Sequence, residues 1–314
     1  MQLTSNTRPF IEAEQYSDFI LMNLHDGLLP DTFYRDVADF MMGDVLNIKT
    51  VGSVVLQETA EDVPLVYNPI ETGQITFRIT EYVGDAWRVS DDLREDGAQV
   101  DQLMAARAME STRALQERFE TDYLRAATAP FTGTPGPLPV NGFNHFKVSN
   151  ATNNIFLLNY LIDMRLAADK ANVPAAGRVF IVDPVVEATL NKKVSITNDV
   201  TQFAQAILER GLAQGQRFIS NWFGWDIMTS NRLQTGAAND GTTSLGNAVF
   251  NIGMCILDDQ TKPVMGAWRR RPSVTGDRDF ERRADKFQTT SRYGFGLQRI
   301  DTLFCIATSP TATE

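Results

Sequence analysis

The chain has 314 residues, of which 43% are hydrophobic and 22% charged, and this ordinary balance supports a folded core of about two domains or one large one. Its mean hydropathy is -0.20 and no apolar run approaches roughly 18 residues, which excludes an integral membrane protein; no secretory signal is expected at the opening MQLTSNTRPF. A net charge of -10 and an isoelectric point of about 4.8 argue against a dedicated nucleic-acid-binding protein, which normally carries a basic surface.

Charge is unevenly distributed along the chain. Residues 1–101 contain 6 basic and 19 acidic side chains, whereas residues 262–299 contain 10 basic and 4 acidic ones. Because opposite charges attract, either these two regions meet within one molecule or they meet between copies.

The first 44 residues give weak structural signals. Residues 1–30 have little hydrophobic periodicity and suggest an arm that is ordered by contact with another surface, with a short helix over 18–29. Apolar residues at helical spacing, after Asp31 as a cap, then predict a helix over 33–42.

The pattern changes to strands over residues 45–89. Ile75, Phe77 and Ile79 alternate with polar residues, which is typical of a half-buried strand, and residues 51–56 are its expected partner. The segment 58–73 between them is rich in acidic residues and prolines. Since two strands alone are barely stable in water, we expect this long arm to lie on a neighbouring surface.

The strongest helix prediction covers residues 99–127, which contain no glycine or proline. At 1.5 Å per residue this rod would be roughly 43 Å long, which implies an elongated molecule. The acidic residues just before it do not fit a calcium-binding loop and are expected to cap the helix start. The apolar residues that should form its buried stripe are Val100, Leu103, Met104, Ala108, Leu115, Phe119 and Tyr123.

A linker rich in proline and glycine, residues 129–153, precedes a compact α/β region. Its first predicted helix is 155–171, followed by a strand at 178–182 and a helix that begins at Asp183 and Pro184. A further helix is predicted at 199–210, and strands at 217–222, 225–229 and 248–257. The expected buried face of the first helix consists of Ile155, Leu158, Ile162 and Leu166.

The end of the chain returns to strands. Residues 280–293 and 297–307 are both expected to rejoin the sheet under the long helix. Cys255 and Cys305 lie in apolar runs and are predicted to be buried free thiols.

Known catalytic and metal-binding patterns are mostly missing from the sequence. The two histidines, His25 and His145, have no neighbouring cysteine or i+4 partner, so a histidine-based metal site is not expected. No nucleophile elbow or phosphate-binding loop is present either. We therefore predict no catalytic residue, no cofactor and no metal site.

One dense basic run stands out near the end of the chain. Arg269, Arg270 and Arg271, with Arg282 and Arg283 further on, are interleaved with acidic residues. This mixture favours salt bridges at an interface, and contact with nucleic-acid phosphates is the less favoured alternative.

Several stretches, in this order and spacing, carry a family resemblance. They are WRVSDDL at 87–93, ALQERFETDYL at 114–124, GRVFIVDP at 177–184, FGWDIMTSNRL at 223–233, and the tail from FERR at 280–283 to YGFG at 293–296. Together with the order of elements they make the chain similar to the major capsid proteins of tailed double-stranded-DNA bacteriophages, the Hong Kong 97 shell fold. The resemblance covers almost the whole chain, although none of these stretches is a strict motif.

The resemblance implies an α+β, Hong Kong 97-like phage capsid fold. Its parts would be an N-terminal arm (1–44), an extended β-hairpin loop (45–89), a peripheral domain with the long spine helix and a linker (90–152), an axial α/β domain (153–261) and peripheral return strands (262–314). It also implies a structural protein, not an enzyme. Copies would self-assemble as pentamers and hexamers into the icosahedral head of the virion, which encloses double-stranded DNA and is built in the bacterial host cytoplasm.

The resemblance also implies partners. Some relatives join subunits through a lysine on the extended loop, but no lysine lies between Lys49 and Lys147, so no such cross-link is expected. Only some 45 residues precede the hairpin, so we expect a separate scaffolding protein. A portal protein and a cement or decoration protein are further candidate partners. An encapsulin-like nanocompartment shell protein is the alternative reading, and a soluble cytosolic enzyme is a more remote one.

In this family the extended loop lies over the peripheral domain of a neighbouring subunit, which suggests a role for the divided charge. We expect the acidic residues of the loop to set the register between subunits by facing the basic residues of another copy. The candidates are Glu58, Glu61, Asp62 and Glu71 on the loop, and Arg269, Arg270, Arg271, Arg282 and Arg283 on the neighbour.

Overall fold

The computed structural model describes residues 33–37, 45–52, 72–96, 100–132, 139–196 and 218–312, together with a few positions between 56 and 70. These residues form a mixture of helices and strands, which confirms the predicted α+β class. The α-helices in these ranges are α1 (Asp91–Asp96), α2 (Val100–Thr128), α3 (Leu158–Lys170) and α4 (Pro184–Ile196). The strands are β1 (Arg35–Asp36), β2 (Val45–Val51), β3 (Thr72–Arg78), β4 (Glu81–Ser90), β5 (Pro139–Val140), β6 (Phe143–Asn144), β7 (Phe146–Val148), β8 (Arg178–Val182), β9 (Phe218–Trp222), β10 (Trp225–Thr229), β11 (Thr235–Asn239), β12 (Ser244–Cys255), β13 (Val264–Asp279), β14 (Ala284–Leu297) and β15 (Leu303–Thr308).

A four-stranded sheet with the order β1-β13-β14-β4 is built around the long β13–β14 hairpin. β4 pairs antiparallel with β14 along its whole length, from Glu81 opposite Tyr293 to Ser90 opposite Ala284. Every second residue of β4 is exposed, so one face of this sheet is open to solvent.

The short strand β1 lies where a helix over 33–42 was expected, and that prediction is wrong for the described residues 33–37. Arg35 and Asp36 pair in parallel with β13, and the Val37 amide donates to the Gly266 carbonyl at 2.9 Å. Tyr34 packs its ring against Phe119 of the long helix. Pairing with the edge of β13 therefore overrides the local helical spacing.

The hairpin predicted within 45–89 is formed by β2 and β3, with Val45 opposite Arg78 and Val51 opposite Thr72. The partner of β3 is thus residues 45–51, not 51–56. Phe77 is fully buried and belongs to a small core cluster with Met265, which fixes the base of the hairpin on β13.

The seven-stranded sheet has the order β7-β15-β12-β8-β10-β9, with β11 paired to β12. β8 confirms the strand predicted at 178–182, and all five of its residues are buried. Asp183 follows and accepts a hydrogen bond from the Val185 amide to Oδ2 at 3.0 Å, so it caps α4 as predicted.

One strand of this sheet was expected elsewhere. β15 lies between β7 and β12 in the seven-stranded sheet, whereas we expected it to join the sheet that contains residues 280–293. All six of its residues are buried, so it needs cover on both faces. The four-stranded sheet could not provide that cover because one of its faces is open.

The long helix α2 confirms the helix predicted over 99–127. Its largest buried side chains all lie in the second half, where Phe119 stacks on Trp268 with ring centroids 4.1 Å apart. The same half also contacts the core of the seven-stranded sheet through Tyr123 and Leu124. Leu103, predicted to be in the apolar stripe, is 51% exposed. The second half of α2 therefore packs against both sheets.

A buried carboxylate strengthens this junction. Glu120 of α2 accepts hydrogen bonds from the Ser230 hydroxyl at 3.0 Å and from Arg232 at 3.4 Å, both from the loop that follows β10. Such charge-assisted bonds connect the helix directionally to the seven-stranded sheet. None of the helices in the described ranges is long and apolar enough to cross a membrane.

The buried face of α3 differs from the predicted one. Ile162 and Leu166 are 45% and 47% exposed, and the face that packs on the sheet consists of Tyr160, Leu161, Met164, Ala167 and Ala168. Cys255 and Cys305 are buried and free, as predicted.

Candidate subunit-contact surfaces

The histidine and the two cysteines of the described ranges lie in the interior of the fold. His145 is fully buried, where it donates from Nδ1 to the Leu303 carbonyl at 3.2 Å and stacks on Phe304. Burial also raises the pKa of the Cys305 thiol well above its usual value. In the described part of the chain no group of three His, Cys, Asp or Glu side chains could hold a metal ion. The His145 and Cys305 side chains are therefore shielded from solvent.

The open face of the four-stranded sheet, opposite α2, is the first candidate contact surface; we call it the helix-free face because no helix of the described residues packs on it. Tyr293 points toward α2 and donates its hydroxyl to Asp122 at 2.8 Å, so its neighbour Arg292 points to the helix-free face. Arg292 lies directly opposite Arg270 on one side and Tyr82 on the other, which makes a row across three strands.

This row opens into a cleft of about 640 Å³, which we call the arginine cleft. The residues that line it are Ile79, Thr80, Tyr82, Arg269, Arg270 and Arg292. Arg270 is oriented by donating from Nη1 to the Thr290 hydroxyl at 3.2 Å.

The acidic residues of β4 lie on the other face of the sheet. Glu81 and Asp85 pair there with Arg125 and Arg107 of α2, at 3.5 Å and 2.8 Å. The helix-free face at the arginine cleft is therefore basic, and it suits a ligand that carries carboxylates.

A second cleft of about 750 Å³ lies toward the other end of β4, and we call it the Leu93 cleft. Its lining consists of Arg88, Ser90, Leu93, Arg282 and Ala284. Leu93 is 48% exposed, and Arg88 is also exposed on the helix-free face, where it lies opposite Lys286. This cleft combines apolar and basic walls.

The turn of the β13–β14 hairpin, residues 280–283, is the second candidate surface, and we call it the hairpin tip. It is anchored by Arg278, which makes a bidentate pair with Asp91 at 2.6 Å and also contacts Asp285 at 2.9 Å. Arg94 adds a second contact to Asp285 at 2.7 Å. The hydrogen bonds from Arg278 lower the pKa of the Asp91 carboxyl below its usual value, so Asp91 stays ionised.

The backbone of the tip is held as well. Asp279 accepts amide hydrogen bonds from Glu281 and Arg282, pairs with Lys286 at 2.6 Å, and has a lowered pKa chiefly because of the hydrogen bond from Lys286. Arg283 has a φ of 47° and its carbonyl accepts from the Asp91 amide at 3.0 Å. The tip is thus a fixed turn.

The extended loop between β2 and β3 exposes apolar side chains beside its acidic ones. Among its described positions, Leu56 is 91%, Tyr67 98% and Ile70 79% exposed. Glu58 is also exposed, whereas Glu61, Asp62 and Glu71 lie outside the described residues. Large apolar groups at such exposure are typical of a surface that another chain covers.

The structure divides the predicted basic contact residues into two groups. Arg269, Arg270 and Arg271 are exposed on β13, and Arg269 and Arg270 line the arginine cleft; Arg282 and Arg283 are exposed at the hairpin tip. Sequence reasoning missed Tyr82, Arg88, Phe280 and Arg292. The strand alternation in β4 and β14 could have placed some of them on one face, but only the pairing of the strands brings Arg292 opposite Arg270.

Comparison with known proteins gives a family match and several structural neighbours. The family model of phage capsid proteins matches residues 72–307. The capsid of cyanophage P-SCSP1u has a similar structure, with a TM-score of 0.72 and 12% identity over 96% of this chain and 94% of that chain. A structure from Mycobacterium phage Che8 gives a TM-score of 0.62 and 17% identity, covering 94% of this chain and 97% of that one.

An encapsulin has a similar fold too. The SrpI encapsulin of Synechococcus elongatus PCC 7942 gives a TM-score of 0.60 and 8% identity, covering 100% of this chain and 98% of that chain. No curated protein sequence matches the chain.

Proposed function

Because the chain belongs to the phage capsid protein family and is a major capsid protein with a Hong Kong 97-like fold, we propose that its copies assemble as pentamers and hexamers into an icosahedral head around double-stranded DNA. The family match over residues 72–307 is the observation that carries this proposal. Family and fold are those of a structural protein, and the role we assign is mechanical containment in the virion.

The domain boundaries that we propose for the chain follow the resemblance to phage capsid proteins. In our proposal residues 1–44 are an arm, 45–89 the extended loop, 90–152 and 262–314 the peripheral domain, and 153–261 the axial domain. The sheets follow this division only in part. β13 and β14 form the four-stranded sheet with β4, which comes from the range assigned to the loop, and β7 and β15, from ranges assigned to the peripheral domain, pair in the seven-stranded sheet.

The extended loop and the helix-free face are the proposed main contact between neighbouring copies. Residues 50–77 contain four acidic residues and no basic one, and the arginine cleft is basic. We propose that Glu58, Glu61, Asp62 and Glu71 of one copy face Arg269, Arg270 and Arg271 of the next, with Arg282 and Arg283 as additional contacts. Each exposed ion pair is worth roughly 0–1 kcal/mol, so the pairs set register and act through repetition in a closed shell.

Electron microscopy of the expressed chain tests the assembly. We expect closed particles of tens of nanometres, formed alone or after adding a separate scaffolding protein. A chain that stays monomeric at high concentration with and without that protein would contradict the proposed function.

The second candidate is an encapsulin-like shell that encloses protein cargo, which the fold shared with the SrpI encapsulin supports. The two candidates differ in content, so particles isolated from the natural source can be treated with nuclease and then opened. We expect protected DNA of genome length; enclosed enzyme without DNA would favour the second candidate.

Further partners are proposed from the family role. A portal protein would occupy one vertex, a cement or decoration protein could bind outside, and assembly would take place in the host cytoplasm.

We also propose that mature shells lack lysine cross-links between loops, because the loop has no lysine beyond Lys49. A ladder of covalent oligomers on a denaturing gel would contradict this last point.

A further inference from the structure

The hairpin tip presents an aromatic side chain to solvent on a rigid support. Phe280 is 85% exposed, although an exposed phenylalanine has no favourable partner in water. Its neighbours are fixed by the Arg278–Asp91–Asp285 pairs and by the hydrogen bonds to Asp279. An aromatic side chain on a fixed turn loses little backbone entropy on binding, and aromatic residues are common anchors of interfaces.

The Leu93 cleft has the chemistry to receive this anchor. Leu93 gives an apolar wall, and the guanidinium of Arg88 can lie over an aromatic ring. Glu281, which follows Phe280 and is exposed, is complementary to the basic wall. Phe280 is exposed and neither it nor Glu281 lines the Leu93 cleft of its own chain, so the space beside Leu93 remains available to the tip of another copy.

We propose that Phe280 and Glu281 of one copy dock into the Leu93 cleft of the next copy. This inference rests on the proposed function, because it needs a protein that associates with itself. The donor and acceptor are different surfaces of the same chain, so the contact is head-to-tail, and such contacts close into rings when the rotation between copies permits. The occupant is a second copy since both complementary surfaces are present on this chain.

Substitution of the anchor is the first test, read as the yield of particles by sedimentation and electron microscopy. We expect Phe280→Ala to lower the yield about tenfold or more, as is typical when a buried interface aromatic is truncated. Phe280→Tyr is the matched control, since it keeps the ring, and should retain most of the yield. Equal yields for all three chains would overturn the proposal.

A charge exchange tests the pairing separately from folding. Glu281→Arg should lower the yield, and Arg88→Glu in the same chain should restore it because the two charges are then reversed together. The unassembled chains should have the same circular dichroism spectrum. Failure of the double variant to recover any assembly, in chains that are folded, would contradict the assigned partner.

Cross-linking identifies the partner residue directly. Chains with Phe280→Cys and tagged chains with Leu93→Cys are mixed, assembled and oxidised; the native Cys255 and Cys305 are buried and should not react. We expect a disulfide-linked pair of one tagged and one untagged chain. Pairs of two Phe280→Cys chains instead would place the tips against each other and contradict the proposal.

The behaviour of the wild-type chain distinguishes a failure of the proposed function from a failure of the Phe280 docking. If it forms no particles under any condition, the proposed function fails. If it forms particles and every variant does so equally, only the docking of Phe280 fails.

Discussion

Arg270 lies directly opposite Arg292 across the antiparallel strands β13 and β14, on the helix-free face of the four-stranded sheet. Like charges directly opposite each other repel across a sheet. Arg270 and Arg292 therefore concentrate positive charge on this face, and an acidic partner would be attracted to it.

Arg270→Glu should reduce assembly while leaving the subunit folded. Glutamate opposite Arg292 makes a cross-strand pair of opposite charge but loses the hydrogen bond from Arg270 to the Thr290 hydroxyl, so we expect the free energy of unfolding of the unassembled chain to change by less than about 1 kcal/mol. The yield of particles should fall, and further in the double variant with Arg271→Glu, because the acidic loop then meets like charge. Chemical denaturation and sedimentation measure the two effects.

The control for this prediction is Arg299→Glu, which reverses an exposed arginine just beyond β14. It should leave particle yield unchanged. An Arg270→Glu chain with unchanged yield and unchanged salt dependence of assembly would refute the assigned contact.

Two leucines on α3 provide a test of the buried face. Leu161 is fully buried and Leu166 is 47% exposed, although the sequence pattern placed Leu166 in the core. Leu161→Ala should lower the free energy of unfolding by about 2–5 kcal/mol, and Leu166→Ala by less than about 1 kcal/mol. Chemical denaturation of the unassembled chains measures both, and equal losses would show that the helix packs through another face.

The error over α3 shows what sequence patterns miss. Both stripes have helical spacing, and the larger aliphatic residues Ile162 and Leu166 made the wrong one more conspicuous. The true stripe includes Ala167 and Ala168, whose small side chains allow close approach to the sheet, and Tyr160, whose hydroxyl donates to Asn150 at 2.8 Å. Close packing selected the small residues, and size is not visible in a pattern of apolar positions.

Strong local signals were predicted well, while features set by strand pairing were not. The absence of glycine and proline was enough to predict α2, and the pair Asp183 and Pro184 was enough to predict where α4 begins. The basic run at 269–271 was visible as a cluster. Arg292 was not, since it is 22 positions from Arg270 and meets it only through the register of a hairpin.

Arg278 should control the rigidity of the hairpin tip. Arg278→Gln removes the bidentate pair with Asp91 and the contact with Asp285, so we expect faster amide hydrogen exchange over residues 279–286 with little change in the rest of the sheet. Arg278→Lys keeps the charge without the planar fork and should be intermediate. Exchange that is unaltered in both variants would show that the backbone bonds of Asp279 hold the tip alone.

His145 should make the stability of the subunit depend on pH. Burial lowers the pKa of its imidazole below the ordinary 6.5, against the opposing effect of the hydrogen bond to the Leu303 carbonyl. The unfolded chain therefore binds more protons than the folded chain in the window between the lowered pKa and about 6.5. The stability contributed by neutral His145 is complete above that window and is lost as pH falls through it.

Replacing the imidazole isolates this effect from that of the carboxylates. His145→Phe keeps an aromatic ring against Phe304 but cannot be protonated, so its free energy of unfolding should fall less steeply between pH 7.5 and 5.5, a range of about one unit on each side of the ordinary histidine pKa. The variant loses one hydrogen bond and should be less stable at pH 7.5 by about 0.5–1.5 kcal/mol. Wild type and variant both retain His25, so the difference between their slopes belongs to His145. Parallel slopes would contradict this prediction and would mean that the imidazole is protonated without disturbing the packing of β7 against β15. The full burial of His145, its hydrogen bond to the Leu303 carbonyl and its stacking on Phe304 argue against that outcome.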